Sequence, residues 1–286
     1  MDLLASQIVN GIGLGLVYFL LAVGMTLIVG IMGIVNFAHG AFVLLGSYFC
    51  YQVIRVTNDF WLALAVVPII VGGVGYLVER LLLSCLYAAS PLDQILATLG
   101  LSLIIVELVI AYWGEYSLPI LPPRSLSGAI ELWPGFNYPR YRLFLLLFSL
   151  TIALLLWFLL ERTTFGAVIR AGSQSKTMVA LLGINIDLLY SLTFVLGATL
   201  AGLSGVLIGP LRGASTAVAI EALGISFVVV VLGGMGDFLG TLLGALLVGL
   251  VQSITSAFFP AVAEAMIYAS MAAILLLRPR GLLGRN

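Results

Sequence analysis

Residues 3–54 read LLASQIVNGIGLGLVYFLLAVGMTLIVGIMGIVNFAHGAFVLLGSYFCYQVI and contain no Asp, Glu, Lys or Arg. A helix needs roughly 20 apolar residues to cross the hydrocarbon layer of a bilayer, so this stretch is long enough for two crossings. Lipid cannot satisfy backbone hydrogen bonds, so both crossings are expected to be helices. The sequence Asn36-Phe37-Ala38-His39-Gly40 interrupts the apolar run.

The rest of the chain has the same apolar character. Of its 286 residues, 62% are hydrophobic and 8% are charged, whereas about 25% of residues are charged in a soluble domain. The spanning runs lie at about 7–29, 39–54, 61–78, 94–112, 143–160, 188–209, 222–235, 241–259 and 262–277. Some of these nine runs are short, so the total is eight to ten spans. We predict an all-α, polytopic transmembrane bundle that forms one domain over residues 1–286.

The charged and metal-binding residues exclude several classes of function. Twelve basic residues balance twelve acidic ones, so the chain has no field that attracts nucleic acid. One histidine and two cysteines are too few for a metal site of the usual kind. The only lysine, Lys176, does not follow a glycine as a P-loop requires. We expect no enzyme activity and no bound cofactor, and any ATP that drives this chain would be hydrolysed by another chain.

The basic residues also predict an orientation, because cytoplasmic loops are enriched in Lys and Arg. Basic residues occur in segment 161–187 and in the tail, namely Arg162, Arg170, Lys176, Arg278, Arg280 and Arg285. Segment 161–187 and the C-terminus are therefore expected in the cytoplasm. Segment 113–142 is then an extracytoplasmic loop, although it also carries three arginines, and the N-terminus lies outside.

Small residues recur at a spacing of four in the sixth predicted span and near the eighth. Such residues let helix backbones approach closely, since lipid gives no hydrophobic drive for helix association. We predict helix-packing roles for Gly197, Ala201, Gly205, Gly209, Gly236, Gly240 and Gly244. Close packing is favoured here over contact with a substrate.

A short internal similarity relates two glycine-rich stretches. Residues 29–33 read VGIMG and residues 232–236 read LGGMG, and each stretch precedes further apolar sequence. Paired, glycine-interrupted segments in two halves of a chain are typical of transporters whose binding site is formed by discontinuous helices. The similarity predicts helix breaks at both stretches.

Polar residues at these two breaks are the candidates for a translocation path. Asn36 can accept a hydrogen bond from the start of the following helix, as a capping residue does. Alternatively, the N-terminus of that helix and the His39 imidazole lie beside a polar path, and both readings can hold together. Asp237 follows the second break and is a further candidate for the path or its gate. Phe37 and Gly40 belong to the first motif.

The segment 161–187 is too polar to span the membrane. Met178, Leu181 and Leu182 are spaced as one apolar stripe of a helix, and Gly183 suits the C-terminus of that helix. Asn185 can cap the next span. A short amphipathic helix of this kind lies on the membrane surface or fits a groove on a partner, and composition does not choose between them.

Several of these stretches resemble one known family. They lie at residues 24–41, 46–48, 161–166, 170–171, 178–185, 233–236 and 278–282, and so extend over nearly the whole chain. Together they resemble the permeases of bacterial ATP-binding-cassette (ABC) importers for branched-chain amino acids, specifically the shorter LivH-type membrane subunit. The stretch Met178-Val179-Ala180 departs slightly from the Met-Ala of that family.

The resemblance implies a bacterial inner-membrane importer built from several chains. Its other components would be a second homologous permease, two ATPase subunits that bind ATP and Mg²⁺, and an extracytoplasmic substrate-binding protein. Segment 161–187 would then contain the coupling helix that docks on an ATPase. The residues that the resemblance assigns to this contact are Arg162, Gly166, Arg170, Met178, Ala180, Leu181, Leu182 and Gly183.

Other functions remain open at the level of sequence. Similar permeases carry urea or short amides instead of amino acids. A passive channel of the aquaporin type would fit the length and hydropathy, but its second Asn-Pro-Ala loop has no counterpart at Gly236-Asp237-Phe238. A secondary transporter would use His39 or Asp237 as a proton-linked group.

Overall fold

The computed structural model describes residues 2–133 and 136–283, and one apolar helix lies at each of the nine predicted runs. Eight helical segments are long and apolar enough to cross a membrane, and Ala217–Gly233 is a shorter apolar helix of 17 residues. The nine helices are α1 (Asp2–Met32), α2 (His39–Thr57), α3 (Phe60–Val78), α4 (Pro91–Trp113), α5 (Arg140–Arg162), α8 (Ile186–Arg212), α9 (Ala217–Gly233), α10 (Phe238–Phe258) and α11 (Ala263–Leu277). Two short helices, α6 (Thr164–Gln174) and α7 (Lys176–Leu181), connect α5 to α8. The predicted all-α bundle is confirmed.

Side-chain caps explain where several helices begin. Asp59 accepts hydrogen bonds from the backbone N–H groups of Trp61 and Leu62 at the start of α3. Asn185 accepts from Leu188 N–H at the start of α8, as the sequence predicted. Each cap satisfies backbone donors that the first turn of a helix leaves unpaired.

The core is built around α1 and α8, which are mostly buried, whereas α4 and α11 expose most of their apolar surface. Helix α1 packs against α10, α8, α9 and α5, and α2 packs against α8, α3 and α9. Large exposed side chains on the outer helices are expected of a bundle whose solvent is lipid. This exposed apolar surface is compatible with the prediction that the bundle lies in lipid.

The predicted small residues lie at close helix contacts. A Cβ atom on Gly205 would be 2.1 Å from the Val43 carbonyl oxygen, and one on Gly197 would be 2.9 Å from the Gly24 carbonyl oxygen. Gly209 faces Ile120, Gly244 faces the Val229 carbonyl, Gly240 faces Gly233, Gly236 faces Gly30, and Ala201 is fully buried. These contacts leave no space for larger residues.

Helices α1 and α2 are separated by a break that returns into the bundle. The break covers residues 33–38, and His39, the first residue of α2, contacts the carbonyl of Leu21 at 2.6 Å. Leu21 precedes the end of α1 at Met32 by three turns, or about 16 Å at 1.5 Å per residue. Helix α2 therefore begins in the interior of the bundle.

The second predicted break lies at residues 234–237, between α9 and α10. It meets the first half of the chain directly, because a Cβ on Gly30 would be 2.9 Å from Gly236 Cα. The two glycine-rich stretches that resemble each other in sequence are thus in contact. Tertiary packing brings together breaks that are some 200 residues apart in the chain.

The loop between α4 and α5 contains a small sheet that the sequence did not predict. Strands β1 (Ala129–Trp133) and β2 (Phe136–Pro139) pair antiparallel, and Leu118 forms a separate bridge with Ala214. Helix α5 begins at Arg140, so the connection is shorter than the predicted 113–142. Arg285, one of the residues that predicted the orientation, lies outside the described part of the chain.

Candidate functional site

The turn before α2 is held by hydrogen bonds within the bundle. Asn36 Oδ1 accepts from Ala38 N–H at 3.0 Å, and the Asn36 carbonyl accepts from His39 N–H at 3.2 Å. The N–H of Phe37, whose residue is partly buried, donates to Thr98 Oγ1 on α4 at 3.2 Å. Asn36 thus closes the turn just before α2 and does not cap the helix itself, because the N-cap residue is Ala38 and that position has no side-chain cap hydrogen bond.

The side chains of this turn also meet a polar point on α1. His39 Nε2 lies 2.6 Å from the Leu21 carbonyl oxygen, and Ser226 Oγ on α9 donates to the same oxygen at 3.0 Å. Gly40 lies against α9, where a Cβ would be 1.9 Å from the Ala219 carbonyl oxygen. Helices α1, α2 and α9 therefore converge at the turn.

Two polar atoms of the turn are left without a partner. Asn36 and His39 are each 0% exposed. Within the described residues, Asn36 Nδ2 and His39 Nδ1 have no hydrogen-bond partner. Buried side-chain polar atoms are normally hydrogen-bonded, so two exceptions three residues apart require an explanation.

The second break is stabilised by its own cap. Asp237 Oδ1 accepts from Gly240 N–H at 2.7 Å, and the Asp237 carbonyl accepts from Thr241 Oγ1 at 2.8 Å. Thr241 Oγ1 lies 2.8 Å from Thr26 Oγ1 on α1, which links α10 to α1. Asp237 is only partly buried, so its carboxylate combines a capping role with access to a cleft.

That cleft lies on the predicted cytoplasmic side and has a volume of about 110 Å³. Its walls come from α1, from the second break and from the junction of α5 with α6. The residues that line it include Thr26, Gly30, Glu161, Ile169, Arg170, Ser173 and Asp237. The structure therefore brings one predicted path residue, Asp237, next to the predicted coupling residue Arg170. The turn at Asn36 does not line this cleft.

Two further clefts open on the opposite side, which is the predicted extracytoplasmic one. The larger, of about 290 Å³, includes Asn10, Tyr138, Arg142 and Ser256 among its walls. The smaller lies between α1, α8 and α9 and has mostly aliphatic walls that reach inward to Leu21. An ion pair between Arg212 and Glu221 lines this smaller cleft. The smaller cleft thus reaches Leu21, the residue whose carbonyl contacts His39.

The segment predicted to be cytoplasmic forms two helices, α6 and α7, rather than one. The apolar face of α6 is buried, and a Cβ on Gly166 would be 2.1 Å from the Leu160 carbonyl oxygen. Arg170 forms an ion pair with Glu161 at 3.4 Å, and the Arg162 guanidinium lies 5.6 Å from the Trp157 ring centroid. Gly166 and the ion pair between Arg170 and Glu161 attach α6 to the end of α5, whereas the contact of Arg162 with Trp157 lies within α5.

By contrast, α7 exposes its apolar side chains. Met178, Leu181 and Leu182 are 64%, 76% and 78% exposed, and Ala180 and Gly183 are also exposed. We call Met178, Leu181 and Leu182 the α7 patch. Gly183 has φ +78°, a left-handed conformation that ends the helix as expected for glycine. The α7 patch is apolar and uncovered in this chain.

One buried acid was missed by the sequence analysis. Glu79 is 1% exposed, and its carboxylate accepts from Tyr87 and, at 2.6 Å, from Ser191 Oγ on α8. It lies in a π-helical turn, Glu79–Leu83, that continues α3. Burial and the hydrogen bond to Glu79 raise the pKa of the Tyr87 hydroxyl, so Tyr87 stays protonated and donates. Arg80 follows Glu79 in the sequence, so no sequence pattern distinguishes this buried acid from one that pairs with its neighbour at the interface.

Comparison with known proteins gives a consistent picture. The sequence model of a family described as "Branched-chain amino acid transport system / permease component" matches residues 7–276. The chain is 30% identical to the high-affinity branched-chain amino acid transport system permease protein BraD of Pseudomonas aeruginosa, over 98% of this chain and 95% of that protein. It is 29% identical to LivH of Salmonella typhimurium over the same shares, and 26% identical to a probable LivH of Methanocaldococcus jannaschii over 93% and 88%. No solved structure matches the chain.

Proposed function

The chain belongs to the branched-chain amino acid transport permease family, and we propose that it carries branched-chain amino acids inward across the bacterial inner membrane as one subunit of an ABC importer. The observation that carries this proposal is the family match over nearly the whole chain. The discontinuous helices at the bundle centre support it, because such helices form the sites of many transporters. The predicted cytoplasmic C-terminus, which carries Arg278 and Arg280, completes the proposed placement.

We propose that the energy comes from two partner ATPase subunits, since the sequence contains no P-loop. The α7 patch would dock on one ATPase, and burial of its three apolar side chains would stabilise the contact. Helix α6, anchored by Gly166 and by the ion pair between Arg170 and Glu161, would pass movement of the ATPase into α5. The inner cleft adjoins this pair and the second break, so the break would respond to the same movement.

The other two partners would act at the outer face and within the membrane. We propose that an extracytoplasmic binding protein delivers substrate to the side that carries the β1–β2 hairpin and the two outer clefts. A second permease, identical or homologous, would complete the membrane part. The sparse polarity of the bundle would hold the substrate weakly and favour its release, whereas the binding protein would supply the affinity.

The proposed function is tested by reconstitution. Liposomes that hold the permeases and ATPases should accumulate leucine only when loaded binding protein is outside and ATP is inside. This chain alone should bind no ATP and should accumulate nothing. Concentrative uptake by the chain alone, driven by a proton or sodium gradient, would instead identify a secondary transporter. Accumulation of urea or short amides, but not leucine, would assign the complex to the related amide branch.

A further inference from the structure

We propose that the buried turn at the start of α2 binds the charged head group of a zwitterionic α-amino acid, with Asn36 Nδ2 donating to the carboxylate and His39 Nδ1 accepting from the ammonium group. This inference rests on the proposed function, because it places a substrate inside the bundle. It goes further by naming the two atoms that recognise the substrate and the part of the substrate that each one contacts.

Asn36 supplies an unused donor. Its Oδ1 is occupied by Ala38 N–H, which fixes the amide so that Nδ2 is the free end of the side chain. Nδ2 carries two N–H groups, is fully buried, and has no partner among the residues that the structure describes. A carboxylate oxygen is the strongest acceptor that an amino acid can offer to such a donor.

His39 supplies an unused acceptor. A carbonyl oxygen can only accept, so the short contact with Leu21 requires that Nε2 carries the proton. In the neutral imidazole the other nitrogen, Nδ1, is then an acceptor. None of the ion pairs in the described part of the chain includes His39, so no carboxylate favours a doubly protonated ring. An ammonium group would satisfy Nδ1.

The helix adds a field of the required sign. Helix α2 has 19 residues, and its N-terminus, which is the positive end of the helix dipole, lies at this turn. A carboxylate is stabilised at such an end. The helix start alone would not indicate a binding site. The unpartnered donor Asn36 Nδ2 and the unpartnered acceptor His39 Nδ1 are an independent observation, and together they suit a group that carries both charges.

Apolar walls lie next to the turn and suit an aliphatic side chain. A Cβ on Gly40 would be 3.0 Å from the Leu223 side chain on α9. Ala222 and Leu21 line the small outer cleft, and Leu21 is the residue whose carbonyl contacts His39. A branched-chain amino acid would thus place its head group on the turn and its side chain among these residues.

The site is closed in this conformation, because Asn36 and His39 are 0% exposed and α9 covers Gly40. Substrate would enter when α9 moves away from the start of α2. Near the turn, Ser226 Oγ on α9 donates to the Leu21 carbonyl on α1, a hydrogen bond that a water molecule or the substrate can replace. A closed central site between clefts on the two sides is what alternating access requires.

The test uses the complete importer in liposomes with two variants of Asn36. Asn36→Asp keeps the oxygen that holds Ala38 N–H but replaces the donor with negative charge. Asn36→Ser keeps a hydroxyl acceptor for the same N–H and stays neutral. If the side chain only stabilises the turn, both variants transport normally. If it binds the carboxylate, leucine uptake falls more than tenfold in each variant that assembles, while ATP hydrolysis stimulated by the binding protein persists.

A photoreactive analogue gives an independent readout. Photo-leucine, a zwitterionic diazirine analogue of leucine, should label Leu21, Ala222 or Leu223 of the wild type during turnover. Ser47→Ala, which removes a buried hydroxyl elsewhere on α2, is the matched control and should leave uptake and labelling unchanged. Labelling confined to other parts of the chain, or normal uptake by both Asn36 variants, would overturn the site. Leucine uptake by the wild-type importer tests the proposed function separately. Failure of the proposed site can therefore be distinguished from failure of the proposed function.

Discussion

Gly40 has no room for a side chain, because the Ala219 carbonyl oxygen lies 1.9 Å from the place of its Cβ. We predict that Gly40→Ala forces α2 and α9 apart and lowers the free energy of unfolding by about 1–3 kcal/mol or more. The measurement is the melting temperature of the purified protein in detergent.

Gly73→Ala on α3 is the matched control for this prediction, since nothing lies within 4 Å of its Cβ position. Alanine at an unstrained helical position should leave stability unchanged or slightly raised. Equal melting temperatures for the Gly40 and Gly73 variants would contradict this prediction, because they would show that α2 and α9 separate at little cost in stability.

Glu79 is the second residue whose role follows from burial. Its carboxylate accepts hydrogen bonds from Tyr87 and Ser191, so Glu79→Ala leaves two hydroxyl donors without their acceptor. We predict a loss of roughly 1–3 kcal/mol for each donor that water does not reach. Glu79→Gln keeps an acceptor oxygen and should cost less. A melting temperature as high for Glu79→Ala as for the wild type would contradict this role.

Among the elements, α7 carries the sharpest prediction. Leu181→Glu places a charge in the α7 patch, and burying that charge against an ATPase would be unfavourable. We expect the variant either to lose its ATPase subunits on purification or to hydrolyse ATP without transport. The measurements are subunit composition and ATP hydrolysis stimulated by loaded binding protein.

Gln174→Glu provides a control at the end of α6, because it adds the same charge at an exposed position outside the α7 patch. It should assemble and transport as the wild type does. Normal stimulated ATP hydrolysis and transport by Leu181→Glu would remove α7 from the coupling contact.

At the level of the whole molecule, nine spans predict termini on opposite sides of the membrane. A fluorescent protein that folds only in the cytoplasm should fluoresce when fused after residue 286. An epitope placed before residue 1 should be accessible to antibody from the periplasm once the outer membrane is opened. Termini on the same side would mean that α9, whose 17 residues make it shorter than each of the eight long apolar segments, does not cross.

Much of this architecture is determined by the sequence alone. Apolar length decides which segments are helices, because the backbone must pair internally wherever lipid surrounds it. Local chemistry decides several helix ends, such as the Asn185 cap and the left-handed Gly183. The two glycine-rich breaks could also be predicted, because glycine interrupts an otherwise continuous apolar pattern. The β1–β2 hairpin could not be predicted, because its short strands follow three prolines in a polar loop.

Only the tertiary structure decided which groups meet. Sequence spacing placed Asn36 and His39 on one turn, but the Leu21 carbonyl and Ser226 came to it from α1 and α9 by packing. The same holds for Glu79 and Ser191, and for Gly30 and Gly236. Apolar patterns and helix-capping signals involve residues within about one helical turn of each other, so they can be recognised in the sequence. Partners across the bundle depend on how whole helices fit together, and that fit left Asn36 Nδ2 and His39 Nδ1 buried without partners in the described structure.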